Sequence, residues 1–243
     1  MKRICGLIAG LAGMCAAHAA EPAPYVVAYS DTHPFSQGLI AFLTEAYKRV
    51  GVTIVARSYP PARSVEMANR GEADAEAARV PDAMGDMTDL IPVPAAIGQN
   101  DTFAFTTGAK VAIDGWDSLR PYRLCVTVGD LITMKRTKGM TRQTVHDLPS
   151  LFRMLASGRC DIAVSDGASW LAIDTLNLGH FRMIDTPIQS FPVYHYVNRR
   201  HADLAPALAK TFVEMQEQGA ARDILSPYLE RIRDSRLRNS VVP

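Results

Sequence analysis

Two stretches of this chain repeat one short pattern. Residues 61–74 read Pro-Ala-Arg-Ser-Val-Glu-Met-Ala-Asn-Arg-Gly-Glu-Ala-Asp, and residues 151–161 read Leu-Phe-Arg-Met-Leu-Ala-Ser-Gly-Arg-Cys-Asp. Met67, Gly71 and Asp74 recur as Met154, Gly158 and Asp161, at one common offset of 87 residues. Each copy reads as an amphipathic helix followed by a glycine, the residue that most readily takes the left-handed conformation ending a helix. A strand follows each glycine, over 73–78 in the first copy and 160–165 in the second. A helix feeding a strand twice points to two α/β lobes built on one recurring unit. Gly-x-x-Asp alone is a weak pattern, and coincidence is the alternative reading.

Residues 1–20 are expected to lie outside the fold. Lys2 and Arg3 precede an apolar run, 4–17, too short to span a bilayer, and Ala17-His18-Ala19 has the small-x-small form of a signal-peptidase site. Cleavage is expected near Ala19 or Ala20. Met14 is too large a residue before Cys15 for a lipoprotein signal. The expected product is an exported, periplasmic protein with no membrane insertion after processing. Loss of Lys2 and Arg3 leaves 24 basic residues against 25 acidic ones. That balance offers no electrostatic footprint for nucleic acid or an anionic membrane. A hydrophobic share of 48% is ample for real cores.

Along the chain, strands are expected at 25–30, 52–59 and 73–78, with helices at 35–50 and from 61 between them. Leu39, Phe42, Leu43, Ala46 and Tyr47 share one face of the first helix, with Ser36 as its expected N-cap and Gly51 as its stop. After a loop-rich segment, with strands at 90–93 and 102–107, the grammar restarts. Strand 122–128, helix 131–138, strand 143–146, helix 148–157, strand 160–165, helix 168–176 and strand 181–184 follow. A strand at 192–198 precedes two terminal helices, 201–218 and 221–233, expected to return to the first lobe, and a frayed tail over 235–243. His195 and Tyr196 lie on the returning strand, where alternation would put one of them inward. Cys125 and Cys160, the two cysteines left after processing, sit in strands that could be parallel neighbours. In an oxidising compartment they could pair, or remain two buried thiols. No Cys-x-x-Cys, metal spacing or cofactor motif occurs.

In this order, Gly71-Glu-Ala-Asp74, Trp116-Asp-Ser-Leu119, Leu155-Ala-Ser-Gly-Arg-Cys-Asp-Ile-Ala-Val-Ser-Asp166 and Val193-Tyr-His-Tyr-Val-Asn198 resemble bacterial periplasmic solute-binding proteins of the amino-acid-binding kind (solute-binding family 3). The resemblance implies two α/β lobes joined by two crossover strands, 21–107 with 193–243 and 108–192, a type II periplasmic-binding architecture. It also implies a small-molecule solute held in the cleft, an ABC transporter membrane component as partner, and a monomer without catalysis or cofactor. Ligands of open α/β sheets lie beyond the carboxyl ends of the strands. The candidate ligand-binding residues are therefore Asp31, His33, Phe35, Tyr59, Arg63, Arg79, Gly129, Asp130 and Asp166. Asp166 matches the carboxylate that holds a ligand ammonium in amino-acid binders, although it could equally cap the helix after it.

Two departures from the family pattern bear on the solute. Asp86 stands near the place of the carboxylate-binding arginine, leaving Arg79, with Arg63 behind it, as substitutes. The turn that offers a helix N-terminus to the ligand carboxylate reads Gly129-Asp130-Leu131, and an aspartate there repels an anion. The ligand is then cationic, or not a simple α-amino acid. Two other functions stay open: an accessory protein of a periplasmic oxidoreductase or sensor, and a dehydratase-type enzyme drawing on His33, Asp130 and Asp166.

Overall fold

The computed structural model describes residues 23–31, 33–108 and 110–240, so the expected leader lies outside the described residues. β1 (Tyr25–Tyr29), α1 (Ser36–Arg49), β2 (Ile54–Ser58), α2 (Pro61–Asn69) and β3 (Ala75–Arg79) open the chain. β4 (Leu90–Pro92) and β5 (Gly98–Thr106) lead to β6 (Leu124–Thr127), α3 (Leu131–Arg136), β7 (Arg142–Val145), α4 (Leu148–Ala156), β8 (Ile162–Asp166), α5 (Trp170–Asp174) and β9 (Arg182–Met183). β10 (Gln189–Asn198), α6 (Leu204–Glu217) and α7 (Ala220–Asn239) complete it.

The strand order is β2-β1-β3-β10-β5-β8-β6-β7, with β4 on β10 and β9 on β5. Each half is therefore the same unit: three parallel strands, one antiparallel crossover strand, and a short strand on the crossover. β10 and β5 pair antiparallel and carry the chain between the lobes.

The repeated pattern is repeated chemistry. Gly71 and Gly158 end α2 and α4 at φ of +74° and +68°, where a side chain would be strained. The next residue donates back to the helix in both copies, Glu72 N–H to Met67 O (2.9 Å) and Arg159 N–H to Met154 O (3.0 Å). Each aspartate then exchanges two bonds with the residue at the head of its lobe's central strand. Asp74 takes the Val26 N–H on Oδ2 (2.7 Å) and donates its own N–H to Val26 O (2.7 Å). Asp161 takes the Arg123 N–H on Oδ2 (2.9 Å) and donates to Arg123 O (2.8 Å). The aspartates thus start the parallel ladders, which is why Gly-x-x-Asp recurs. Asp74→Ala is expected to lower unfolding free energy by about 2 kcal/mol, because it strands a part-buried N–H and the Arg200 and His201 contacts. Asp161→Ala, where water can reach the vacated site, should cost about 1 kcal/mol. Urea unfolding of the two variants checks the order.

Helices cover both faces of each half. Phe42, Leu43, Ala46 and Tyr47 of α1 pack with Leu208, Phe212 and Met215 of α6 over one face of the first lobe. Val65 and Ala68 of α2 cover the other with Tyr196. In the second lobe, Leu151, Phe152 and Leu155 of α4 surround Phe105 and Trp170. Cys125 and Cys160 are joined there as a disulfide, with Cα atoms 5.7 Å apart.

Several local expectations change. Ser36 lies inside α1 rather than capping it, and its Oγ donates to Ser30 O at 2.6 Å; Phe35 occupies the cap position without a side-chain bond. His195 and Tyr196 are both buried, because β10 runs mid-sheet with helices on each face. The 168–176 helix is a 3₁₀ turn, Gly167–Ser169, followed by the five-residue α5. The tail does not fray at Ser235. That residue is fully buried, with Oγ bonded to Trp170 O, and Arg238 and Asn239 hold Asp174. α6 packs on α1, as a return to the first lobe requires, but α7 contacts both α1 and α5.

Candidate functional site

The carboxyl ends of the parallel strands of the two lobes face one another. The loop after β1 carries His33, β3 ends in Arg79, the turn after β6 carries Gly129 and Asp130, and β8 ends in Asp166. His33 and Asp166, from opposite lobes, meet directly at 3.0 Å between Nε2 and Oδ2. Around them a Cβ on Gly129 would come 3.6 Å from the Pro61 ring. Arg136 pairs with Asp82 at 3.2 Å, and Ile132 packs with Val80 and Phe191.

Asp166 caps the turn after it, one of the roles expected of it, and also bridges to the opposite lobe. Its Oδ1 accepts the Ala168 N–H at 2.8 Å, capping the 3₁₀ turn, while Oδ2 takes His33. Burial pushes its carboxyl up, but His33 and the N–H groups of Ala168 and Ser169 outweigh this and hold it below its ordinary value. Partial desolvation likewise works against an imidazolium at His33, although its side chain is still 45% exposed. The Asp166 charge and hydrogen bond overcome it, Arg79 opposes, Asp130 assists, and the net shift is upward. In the neutral ring the tautomer follows from the neighbours: His33 Nδ1 accepts the Phe35 N–H at 3.2 Å, so Nε2 carries the proton given to Asp166.

The pair has a defined pH window. Asp166, depressed from 3.8, contributes stability above that value and loses it as pH falls further. His33, raised from 6.5, contributes fully below that value and loses it as pH rises through its folded pKa. His33→Ala should therefore destabilise most between about pH 4 and pH 6.5 and least at alkaline pH. Thermal unfolding across pH 4–9 checks it.

Asp130 caps α3, accepting the Thr133 N–H on Oδ1 at 2.9 Å and its hydroxyl on Oδ2. Burial raises its pKa, Thr133 opposes, and the Asp166 charge adds to the rise. Arg79 turns Nη2 of its guanidinium into the first lobe, toward Pro61 O (2.8 Å), Ser64 Oγ (2.8 Å) and Glu76 Oε1 (2.9 Å), while its Nε is buried without a partner. Ser64 in turn donates to Glu76 Oε2 at 2.7 Å. Glu76 is only 1% exposed, and burial pushes it up to about 7 against the pull of Arg79 and Ser64.

Of the candidates, His33, Arg79, Asp130 and Asp166 thus lie within electrostatic reach of each other, with Gly129 beside them. Asp31 and Arg63 are exposed. Tyr59 packs partly buried against the α2-side core, and Phe35 turns its ring edge to Tyr228 on α7 (centroids 6.2 Å apart). Glu76 and Ser64 were missed. An acidic side chain in the otherwise small, apolar run Ala-Glu-Ala-Ala-Arg was the available signal. Among the described residues, no group of three or more His, Cys, Asp and Glu is arranged to hold a metal ion, and no helix is long and apolar enough to cross a membrane.

No protein-family model and no curated protein matches the sequence. Solved structures match the fold throughout. An ancestral arginine-binding protein bound to arginine is 17% identical over 84% of this chain and 97% of that one, with a TM-score of 0.67. A histidine kinase sensor domain with similarity to periplasmic binding proteins is 15% identical over 85% and 96%, at 0.70. The substrate-binding protein AbpA of an amino acid ABC transporter from Streptococcus pneumoniae, bound to L-arginine, is 10% identical over 86% and 95%, at 0.65. The chain therefore has the two-lobed α/β fold of periplasmic amino-acid-binding proteins.

Proposed function

We propose that this chain is an exported, periplasmic solute-binding protein that captures a small polar solute between its lobes and presents it, as a monomer, to the membrane component of an ABC-type importer. The lobes are taken as 21–107 with 193–243 and 108–192. The observation that carries this reading is the meeting of His33 and Asp166 where opposed strand ends converge, the position at which open α/β sheets bind ligands. Asp166 is the residue assigned to a cationic group of the solute. A ligand ammonium would exchange for the His33 N–H on the same carboxylate, and a charge-assisted bond in a closed crevice is a strong one. Asp130 and Arg79 shape the field around it. The neighbours in fold are binding and sensor proteins, which supports capture rather than turnover.

The test is a thermal-shift screen of residues 21–243 against amino acids, polyamines, organic acids and sugars. A solute at about 100 times its dissociation constant should add about 2.7 kcal/mol of stability. It should be recovered chemically unchanged. Asp166→Ala is expected to lose at least about 1.5 kcal/mol of that solute's binding energy in calorimetric titration. A chemically altered solute would point to a cleft enzyme. The likeness to a kinase sensor domain favours, as second reading, a receptor or accessory that hands its signal to another protein; a stable copurifying protein and no stabilising solute would support it.

A further inference from the structure

The crossover strands β5 and β10 are not the only connection between the lobes. α7 is a 20-residue helix, about 30 Å long, and its two halves belong to different cores. Ala221, Ile224 and Leu225 pack into the α1–α6 core of the first lobe. Ile232 packs into the Phe105–Trp170 core of the second. Beyond it the helix is fastened hard. Ser235 Oγ bonds Trp170 O, Arg236 pairs with Asp185, and Arg238 and Asn239 hold Asp174. The Phe181 N–H donates to Asn239 O at 2.9 Å.

The join between the halves is light. Pro227 lies inside the helix, so it can donate no bond to the Asp223 carbonyl, and such sites bend. One residue on, Tyr228 contacts the first lobe at α1. Its ring lies so close over α1 that a Cβ on Gly38 would sit 3.0 Å from it, and it meets the edge of Phe35. Phe35 adjoins the loop bearing His33, and α7 also touches the 3₁₀ turn that follows Asp166. The helix therefore runs past both halves of the interlobe contact.

We propose that α7 is a strap that sets the equilibrium between closed and open lobes, with the Tyr228–Gly38 contact as its releasable dock and Pro227 as its flexure. On opening, the last three turns travel with the second lobe, and Tyr228 peels from α1. The proposal concerns the lobes themselves and holds whatever the solute.

Spin labels at Ala62→Cys and Lys135→Cys, exposed positions flanking the mouth of the crevice on α2 and α3, report the interlobe distance in the otherwise intact protein. Gly38→Ala puts a methyl group against the Tyr228 ring while favouring helix in α1. Tyr228→Ala removes the ring. Both should enlarge the longer-distance population by about threefold to tenfold, the worth of a lost aromatic contact. Pro227→Ala restores the missing donor and should shrink that population. Near-ultraviolet circular dichroism confirms that each variant is folded, and Gly38→Ala carries the test if Tyr228→Ala is not. A distribution unmoved by Gly38→Ala and Tyr228→Ala would overturn the strap. One unmoved by Pro227→Ala would overturn the flexure.

Discussion

Arg79→Ala is expected to lower unfolding free energy by about 2.5 kcal/mol at pH 8, the sum of a lost hydrogen bond and the lost charge stabilisation of a buried carboxylate. Glu76, 1% exposed on β3, would lose the cation that holds its pKa down and would meet the loss by taking up a proton. Proton linkage gives the effect a sign. The folded pKa of about 7 lies above the 4.5 of an ordinary glutamate. Between these values the folded chain holds a proton the unfolded chain has released. The contribution of Glu76 is thus fully present below pH 4.5 and is lost as pH rises through about 7. At pH 5 the carboxyl is neutral, and the cost of Arg79→Ala should shrink by about 1.4 kcal/mol, the most that a folded pKa of about 7 allows, to about 1 kcal/mol, that of a hydrogen bond. In a Glu76→Gln background the cost should stay near about 1 kcal/mol at both pH values, since no charge is involved. On its own, Glu76→Gln should flatten the fall in stability between pH 4.5 and about 7. Urea titrations at pH 5 and pH 8 on the four proteins form a double-mutant cycle. A pH-independent loss in Arg79→Ala would mean that packing of the guanidinium stem, not charge, is what the residue supplies.

How much of this was legible depended on how local the chemistry is. In the repeat, the aspartates, whose partners lie 48 and 38 residues away, were marked only by recurring at the same offset. The left-handed glycines were legible because each closes its helix on backbone close at hand. The strand ends were legible for the same reason, which is how His33, Asp130 and Asp166 could be named before anything put them together. Their meeting was not. His33 and Asp166 are 133 residues apart, and the bond depends on how two lobes are set against each other, which no periodicity records. Arg79 illustrates a different case. Its pairing with Glu76 through Nη2 needed only the observation that a buried strand cannot leave its one acid unpaired. The end of α7 was read as frayed because it is polar and basic. Its arginines answer acids at Asp174 and Asp185, some 50 to 65 residues away, and only the packed structure puts those within reach.

Removing the disulfide is expected to be the second large effect. Cys125→Ala with Cys160→Ala should destabilise the protein by about 4 kcal/mol on the loop-entropy estimate for a separation of 35 residues. The sequence left this pair open, and the β6–β8 pairing explains why the cysteines meet: Cys125 stands opposite Ala163 in parallel register, and Cys160 lies just before that strand begins. Both cysteines are 2% exposed or less, so a reductant reaches the bond only when the second lobe opens, and reduction should report that opening. Of the chain's two tryptophans, Trp170 is buried in the second-lobe core, whereas Trp116 packs there and against the interlobe cluster of Val80, Ile132 and Phe191. Fluorescence in a Trp116→Phe background therefore follows that lobe specifically, while far-ultraviolet circular dichroism follows both. If α7 couples the lobes, the two signals should shift together to lower urea in the double variant. If the lobes unfold independently, fluorescence alone should move. An unchanged fluorescence midpoint would mean that the unfolded second lobe is already constrained without the bond, and the entropic account of its stabilisation would be wrong.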